Sequence, residues 1–312
     1  TDTLHYKNNQ VMQRYSRIEP RISFRYRLNE VSSVKGSYNR INQFINILSN
    51  NTVMSPADTW TLCSPNLRPL SSDQFAAGYF RNFGNNTWEV SVETYFKTLK
   101  NVIEYKNGAR VFLNDHMDTD LLSAGGYGYG IEFYARKSSG SLTGWISYTY
   151  SRSMLKTEGQ FTSEQINGNS YYPSNFDKPH NLVINANYHI SRRWRVSSTF
   201  AYNTGRPVTL PELKYLFQGN TLIYYSDRNK YRLPDYHRLD ISISYDENLR
   251  LKKMWKGSWT FSIINVYGRN NAYSEYFAKD DGRIYRSTGN SRLYKRYIIG
   301  IPLPTLTYNF VF

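Results

Sequence analysis

The chain has 312 residues, a net charge of +15 and a mean hydropathy of −0.62, and no apolar run approaches the roughly 18 residues of a membrane-spanning helix. Its single cysteine, Cys63, excludes an intrachain disulfide framework and a cysteine-based zinc site. Lysine and arginine are spread along the chain rather than clustered, which argues against a nucleic-acid-binding protein.

Period-two alternation of apolar and polar residues recurs along the chain and predicts β-strands, because successive strand side chains point to opposite faces. The predicted strands fall near 17–28, 31–47, 73–83, 88–106, 127–138, 142–155, 180–190, 194–209, 237–247, 258–269 and 297–312. Long helical periodicity is absent. The sequence therefore predicts an all-β fold, and alternation alone suits either a soluble sandwich or a transmembrane barrel.

The predicted connections alternate in length. Counted from the C-terminus, the long ones are 270–296, 210–236, 156–179, 107–126 and 48–72. Between them lie an intermediate segment, 248–257, and the short turns 191–193, 139–141, 84–87 and 29–30. Outer-membrane barrels have short periplasmic turns and long outer loops, so this alternation favours an antiparallel transmembrane β-barrel over a sandwich.

Aromatic residues make up 16% of the chain, and several of them flank the short turns, the intermediate connection 248–257 or the C-terminus, all at one end of the predicted strands. Such residues form girdles at membrane interfaces, because each ring has an apolar body and, in Tyr and Trp, a polar tip. The predicted girdle residues are Phe83, Trp88, Tyr188, Trp194, Tyr245, Trp259, Phe310 and Phe312.

The strand count bears on domain organisation. Eleven strands are predicted, whereas a single-chain outer-membrane barrel has an even number, and an open sheet in lipid would leave unpaired backbone edges. Either the first fifteen residues add a twelfth strand or residues 1–312 are one incomplete barrel domain. The start Thr1-Asp2-Thr3, with no initiator Met or signal peptide, favours the second interpretation.

Several segments carry a family resemblance, strongest from about residue 127 onward. FDKPHNLVINANYHISRRWRVSSTFAYNTGRPVTLP (176–211), RLPDYHRLDISISY (232–245), WTFSIINVYGRNNAYSEYF (259–277) and GIPLPTLTYNFVF (300–312) resemble barrels of TonB-dependent outer-membrane receptors, particularly those of Bacteroidetes-type bacteria. The resemblance implies the C-terminal half of a 22-stranded barrel, whose plug domain and TonB box are not in these residues. It also implies location in the bacterial outer membrane.

Further expectations follow from the resemblance. Members take up scarce ligands such as siderophores, corrinoids or oligosaccharides, with energy from TonB, ExbB and ExbD acting through the N-terminal part. The final aromatic, Phe312, resembles the signal read by the barrel assembly machinery. The ending is more like the siderophore-receptor-like members than the SusC-like ones, so a surface lipoprotein partner is not favoured.

The sequence contains no motif for catalysis or metal binding. The histidines lack ligand spacing, and no GxSxG motif accompanies groups such as Asp177, His180, Asp235, His237 and Asp240. We therefore expect neither an enzyme nor a cofactor. The alternatives that remain open are a complete 12-stranded porin or hydrolase and a secreted glycan-binding β-sandwich.

Ligand contacts are expected from the long loops, where aromatic faces suit sugars or catecholate rings and cations suit anionic ligands. The candidate ligand-binding residues are Trp60, Tyr171, Tyr172, Tyr224, Tyr225, Arg228, Tyr231 and Arg283, with Tyr127, Tyr129, Tyr215 and Tyr276 as further members. The stretch GGYGYG (125–130) lacks the Lys and helix of a phosphate-binding loop, and its glycines are expected to ease strand entry or a bulge.

Overall fold

The computed structural model describes residues 7, 10–48, 59–109, 117–247, 256–279 and 291–311. Within them, eleven long strands form one antiparallel sheet in chain order, and the nine inner strands each pair with the long strands before and after them. They are β1 (Arg21–Asn29), β2 (Ser32–Gln43), β3 (Leu70–Phe83), β4 (Trp88–Tyr105), β5 (Leu121–Lys137), β6 (Leu142–Thr157), β7 (His180–His189), β8 (Trp194–Asn203), β9 (Tyr236–Asp246), β10 (Lys256–Ile264) and β11 (Leu303–Val311). The all-β prediction and its eleven strands are confirmed.

The sheet is open in this chain. Among the described residues, β1 pairs with β2 alone and β11 with β10 alone, so the two edge strands do not meet. All nine residues of each edge strand are exposed.

The strand register gives the sheet one apolar and one polar face, because the side chains of residues directly opposite each other in an antiparallel pair lie on the same face. Across the C-terminal strands, for example, Phe261 lies opposite Ile243 and Leu306. The apolar face includes Ile22, Phe24, Phe75, Phe96, Phe133, Ile146, Ile184, Phe200, Ile243, Phe261 and Leu306. The polar face includes Arg21, Arg25, Lys35, Glu93, Glu132, Ser147, Asn185, Thr199, Ser242 and Thr260.

The apolar face remains uncovered. Phe24 is 62% exposed and Leu306 is 66% exposed. A soluble sandwich would bury this face against a second sheet, because contiguous apolar surface in water is unfavourable. The secreted β-sandwich alternative is therefore wrong for the described strands.

The short turns are built from residues that suit tight reversals. Gly84, Asn85 and Asn86 all have positive φ, at 55°, 52° and 67°, which Gly and Asn tolerate best. At the 190–193 turn, the Ser191 hydroxyl accepts hydrogen bonds from the backbone N–H groups of Arg193 and Trp194. These contacts explain why the chain needs so few residues to reverse at this end.

Five predicted strands extend too far at the loop end. The first begins at Arg21 rather than at 17, and the second ends at Gln43 rather than at 47. The strand predicted to 269 ends at Ile264, because Asn265 takes a positive φ of 58° and its N–H donates to Asp240. The strand predicted to 209 ends at Asn203, where the Thr204 N–H bonds the His180 carbonyl and Gly205 follows. The last predicted strand begins at Leu303 rather than at 297, after Pro302.

The long connections contain structure that the alternation does not predict. Three hairpins lie outside the main sheet: Ile45–Leu48 with Thr59–Leu62, Pro211–Phe217 with Asn220–Tyr225, and Ala272–Lys279 with Ser291–Tyr297. Two small apolar cores also lie at this end, one built on Leu155, Ile166 and Tyr172 and the other on Leu48, Leu67, Tyr105 and Leu121. Among the described residues, no helix has the length and apolarity needed to cross a membrane.

The glycines of GGYGYG serve close packing within β5. A Cβ on Gly130 would lie 2.8 Å from the Tyr95 ring and 2.9 Å from the Tyr150 carbonyl oxygen. Gly126 would bring a Cβ into the Met154 carbonyl oxygen, whereas the nearest atom to a Cβ on Gly125 is 3.8 Å away. The adjacent Asn101 has a φ of 57° and marks a register shift between β4 and β5, so the expected bulge lies in the partner strand.

This difference between neighbouring glycines gives a matched test. We expect Gly126→Ala to destabilise the protein by about 1–3 kcal/mol, because the backbone of β6 must move to admit the methyl group. Gly125→Ala should change the stability by less than about 1 kcal/mol, since its Cβ meets only ordinary contact. Guanidinium unfolding of both variants in lipid vesicles checks the difference, and equal midpoints would contradict the close approach.

Candidate ligand-binding cleft

Three long connections are tied together at the loop end of the sheet by Arg228, which lies between β8 and β9. Its Nη1 donates to Glu104 Oε2 of β4 at 3.0 Å. Its Nη2 donates to the Tyr105 carbonyl oxygen and to Asn107 Oδ1, both at 3.0 Å. One guanidinium therefore fixes the end of β4 to a loop more than a hundred residues away in sequence.

The Arg228 backbone joins a third loop to the same point. Its N–H donates to Asn167 Oδ1 at 2.7 Å, and its carbonyl accepts from Asn167 Nδ2 at 3.0 Å. The next residue, Asn229, donates to the Pro173 carbonyl oxygen and to Asn175 Oδ1, both at 2.8 Å. Residues 167–175 are thereby held against residues 228–229. We call this set of contacts the Arg228 latch.

The Glu104–Arg228 ion pair is largely withdrawn from water. The side chains are 13% and 20% exposed, respectively. Burial raises the pKa of Glu104, and the positive charge of Arg228 opposes that shift. Burial and then the nearby Glu104 charge raise the pKa of the Tyr172 phenol, so the ring stays neutral. The pair lies beyond the Asn101 bulge, outside the apolar belt of the strands.

The three latched loops surround an open cavity of about 1130 Å³. Its described lining is mostly polar, with amides and hydroxyls from several loops and, among these residues, three cations and two carboxylates. The lining includes Lys106, Asn107, Gln165, Asn167, Asn175, Arg206, Thr209, Tyr224, Tyr225, Ser226, Asp227, Arg228, Asn229 and Glu275. A cleft of this size and chemistry can hold a polar small molecule through hydrogen bonds and aromatic contacts.

The structure gathers some of the predicted ligand residues and separates others. Tyr224, Tyr225 and Arg228 line the cleft. Tyr172 is 1% exposed and packs in the loop core, and Arg228 is bound in the latch. Arg283 lies outside the described residues.

The remaining predicted residues lie away from the cleft. Trp60 is 62% exposed on the first loop hairpin, and Tyr231 donates to Glu212. Tyr171 packs edge-on against Tyr127, 5.1 Å between ring centroids. Tyr127 and Tyr129 lie on the apolar face of β5, Tyr215 lies on the second hairpin, and Tyr276 stacks on Tyr294 of the third.

Sequence reasoning missed the amide-bearing and charged residues of the cleft, such as Asn167, Asn175, Arg206 and Glu275. They come from separate loops, far apart in the chain, and none belongs to a motif. Positive φ at Asn167 and Asn229, 49° and 59°, reflects tight local turns that Asn permits. The sequence feature that could have indicated these cleft residues is the occurrence of Asn-rich turns within the long connections.

A second, exposed cluster stabilises the loop between β8 and β9. Glu212 Oε1 accepts from Lys230 Nζ at 2.8 Å and from the Tyr231 hydroxyl at 2.7 Å. The Lys230 ammonium and then the Tyr231 hydroxyl hold the pKa of Glu212 below its usual range. The cluster links the base of the second hairpin to the strand pair formed by Pro207–Val208 and Tyr231–Arg232.

We expect this cluster to make the hairpin sensitive to acid. Because the pKa of Glu212 is lower in the folded state, its contribution is present above the unfolded value of about 4.3 and is lost as pH falls through the folded value. Hydrogen exchange of the hairpin should therefore rise below about pH 4. Glu212→Gln should abolish this acid-induced rise in exchange. If the variant still shows the rise, a group other than Glu212 causes it.

The predicted girdle residues in the described part of the chain lie on the apolar face at the short-turn end. Phe83 is the Cα partner of Trp88, and Trp194 is the partner of Tyr245. Trp259 lies opposite Tyr245 and Tyr308, and its ring centroid is 4.6 Å from that of Tyr308. Tyr188 and Phe310 share this face, and Phe312 lies outside the described residues.

The groups considered for acid–base or metal chemistry are engaged in structural hydrogen bonds. Asp177 accepts from Arg152 and from Arg232, and Asp235 accepts from the Tyr202 hydroxyl at 2.6 Å. His237 Nδ1 lies 2.7 Å from the Tyr267 hydroxyl. Within the described ranges, no three His, Cys, Asp or Glu side chains cluster as metal ligands would.

A two-faced antiparallel sheet with trimmed turns at one end and elaborated loops at the other defines the wall of a transmembrane β-barrel. The chain belongs to the family described as TonB dependent receptor-like, beta-barrel, which matches residues 1–270. Members of this family are transporters and not enzymes. A search of curated proteins found no match.

Solved receptors share the fold at low sequence identity. The ferripyoverdine receptor of the outer membrane of Pseudomonas aeruginosa is 12% identical, with a TM-score of 0.55 over 96% of this chain and 33% of that one. The unliganded ferric citrate transporter FecA is 12% identical, with a TM-score of 0.55 over 94% of this chain and 38% of that one. The FrpB iron transporter from Neisseria meningitidis is 12% identical, with a TM-score of 0.54 over 94% of this chain and 39% of that one. This chain thus spans between a third and two fifths of their lengths.

Proposed function

We propose that this chain forms part of the wall and outer vestibule of a bacterial outer-membrane receptor that takes up a scarce ligand in a TonB-dependent manner. The main support is that an eleven-stranded sheet with one apolar and one polar face has a polar cleft at its loop end, held by the Arg228 latch. Family membership supports the receptor class. The ligand class includes iron-loaded siderophores, since the similar structures are receptors for ferripyoverdine and ferric citrate.

The cleft has the chemistry expected of a capture site. Lys106 and Arg206 place positive charge beside tyrosines and amides, whereas the charge of Arg228 is paired with Glu104. Ferric siderophores present carboxylates, hydroxamates or catecholates, which such groups bind through charge-assisted hydrogen bonds and ring contacts. Within the cleft, Tyr224 and Tyr225 are the proposed direct contacts, because they are 57% and 55% exposed. Arg228 and Tyr172 are proposed to shape the site from behind.

The further partners are part of the same proposal. Coupling to TonB, ExbB and ExbD, and membrane insertion through the terminal Phe312, follow from the family resemblance. The polar face carries charges such as Arg25 and Glu93 that would meet water or a plug domain inside the closed barrel. A porin is the second candidate, because an open polar lumen conducts solutes passively.

The test is uptake of radioactive iron, supplied as ferric citrate and as ferripyoverdine, by cells with and without the receptor gene. We expect saturable uptake of at least one probe that stops when a protonophore collapses the proton gradient. Tyr224→Ala with Tyr225→Ala should raise the half-saturating concentration, whereas Tyr215→Ala on the same hairpin should not. Receptor-dependent uptake that continues with the protonophore present would instead identify a porin.

A further inference from the structure

The girdle at the short-turn end differs in charge from one part of the sheet to another. On the apolar face of β3 and β5, Arg81 and Lys137 flank the aromatic pair Phe83 and Trp88. The guanidinium carbon of Arg81 lies 4.7 Å from the Phe83 ring centroid. Lys137 Nζ lies 5.7 Å from the Trp88 centroid. Two cations are therefore held over two rings on a surface that faces outward.

Among the residues that the structure describes, no carboxylate offsets these cations on the same face. The apolar-face positions nearest the turns on these three strands are Tyr79, Arg81, Phe83, Trp88, Val90, Val92, Phe133, Ala135 and Lys137. The acidic residues of these strands that lie nearest the turns, Glu89 and Glu132 with Glu93, fall on the polar face. Asp73 lies on the apolar face of β3, but it is at the loop end of the strand and is paired with Arg40. The patch thus carries a positive charge that the described residues do not neutralise from its own side of the sheet.

The part of the girdle on β10 and β11 differs, because a carboxylate lies beside its aromatic residues. There, Glu247 Oε1 accepts from Trp259 Nε1 at 2.7 Å, and Glu247 Oε2 accepts from the Tyr308 hydroxyl at 3.3 Å. The aromatic tips of β10 and β11 are satisfied by a carboxylate of this chain. In the described part of the chain, Arg81 contacts the Tyr79 side chain and no carboxylate lies against Arg81 or Lys137, so both cations are available to an external anion.

We propose that Arg81, Lys137, Phe83 and Trp88 form a binding site for the phosphate headgroup of a phospholipid in the periplasmic leaflet. Trp88 and Phe83 are 44% and 42% exposed and would lie against the glycerol and upper acyl chains. The two cations would bind the phosphate oxygens through charge-assisted hydrogen bonds. The orientation toward the periplasm rests on the proposed outer-membrane function, because short turns face that side.

The test is native mass spectrometry of the full-length receptor extracted from outer membranes, with phosphatidylglycerol, phosphatidylethanolamine or lipid A added in detergent. We expect wild type to retain phosphatidylglycerol. Arg81→Gln/Lys137→Gln should lower the affinity for this lipid by about tenfold or more. Arg136→Gln/Arg195→Gln removes the same charge near the same end but on the polar face, and should bind like wild type. Arg81→Lys/Lys137→Arg keeps both charges and should also bind.

Several results would overturn the site. Equal phosphatidylglycerol retention by the Arg81/Lys137 and Arg136/Arg195 glutamine variants would show no specific headgroup contact, and a preference for lipid A would place the patch in the other leaflet. If the Arg81/Lys137 glutamine variant does not fold, each single substitution should still weaken binding, and unchanged binding would refute the proposal. Iron uptake measured in the same variants tests the two proposals separately. Uptake without specific lipid binding would refute only the lipid site, and lipid binding without uptake would refute only the proposed transport function.

Discussion

Replacing Arg228 with alanine should release the loops around the cleft while leaving the sheet intact. The substitution leaves Glu104, 13% exposed, without its ion-pair partner, and it removes the bonds to Tyr105 and Asn107. Losing one partner of a buried pair costs about 3–5 kcal/mol, because the other charge remains desolvated. Local opening of residues 104–109 and 167–175 should become easier by about this amount. Hydrogen exchange followed by mass spectrometry measures it segment by segment.

A neighbouring lysine supplies the matched control for Arg228→Ala. Lys230 also forms an ion pair, but its side chain and that of Glu212 are 48% and 30% exposed. Exposed ion pairs contribute little to stability because solvent screens both charges, so Lys230→Ala should leave exchange at the latch unchanged. The double variant Glu104→Ala/Arg228→Ala should recover part of the loss, because no unpaired charge remains. If Arg228→Ala and Lys230→Ala behave alike, the latch does not hold the loops together.

The strands could be predicted from the sequence because their physics is local. Alternation in segments such as HRLDISISY places Leu239, Ile241 and Ile243 on one face whatever lies beside them. The sheet order followed from the short turns, since a tight reversal forces neighbouring strands to pair. The strand ends were less predictable, because Asn265 stops β10 through a bond to Asp240 that belongs to another strand.

The cleft could be predicted only in part because its contacts are long-range. An exposed aromatic such as Tyr224 can be suspected from loop composition alone. That Tyr172 is buried while adjacent Tyr171 is 53% exposed depends on Leu155 and Ile166, which the sequence does not place. From the sequence, Arg228 is expected to be a free cation in a loop, but in the structure its Nη1 lies 3.0 Å from Glu104 Oε2. The sequence pattern thus locates the loops, and tertiary packing decides which of their residues face a ligand.

An arginine placed on the apolar face should destabilise the barrel far more than one placed on the adjacent polar-face position. Ile146 and Ser147 are neighbours in β6. Ile146 lies on the apolar face opposite Ala135 and Ile184 and is 48% exposed, and Ser147 lies on the polar face opposite Tyr134 and Val183. Ile146 lies four residues from the short-turn end of the strand, near the centre of the apolar belt.

Ile146→Arg should therefore cost about 2–4 kcal/mol of unfolding free energy in a bilayer, because the guanidinium would face hydrocarbon near the midplane. Ser147→Arg should remain within about 1 kcal/mol of wild type, since that position meets the aqueous lumen. Guanidinium unfolding of the full-length receptor in lipid vesicles measures both values against wild type. Because the two variants share strand, depth and charge, their difference isolates which face meets lipid. A larger loss for Ser147→Arg would mean that the faces are assigned the wrong way round, and no loss for either would place this strand outside the membrane.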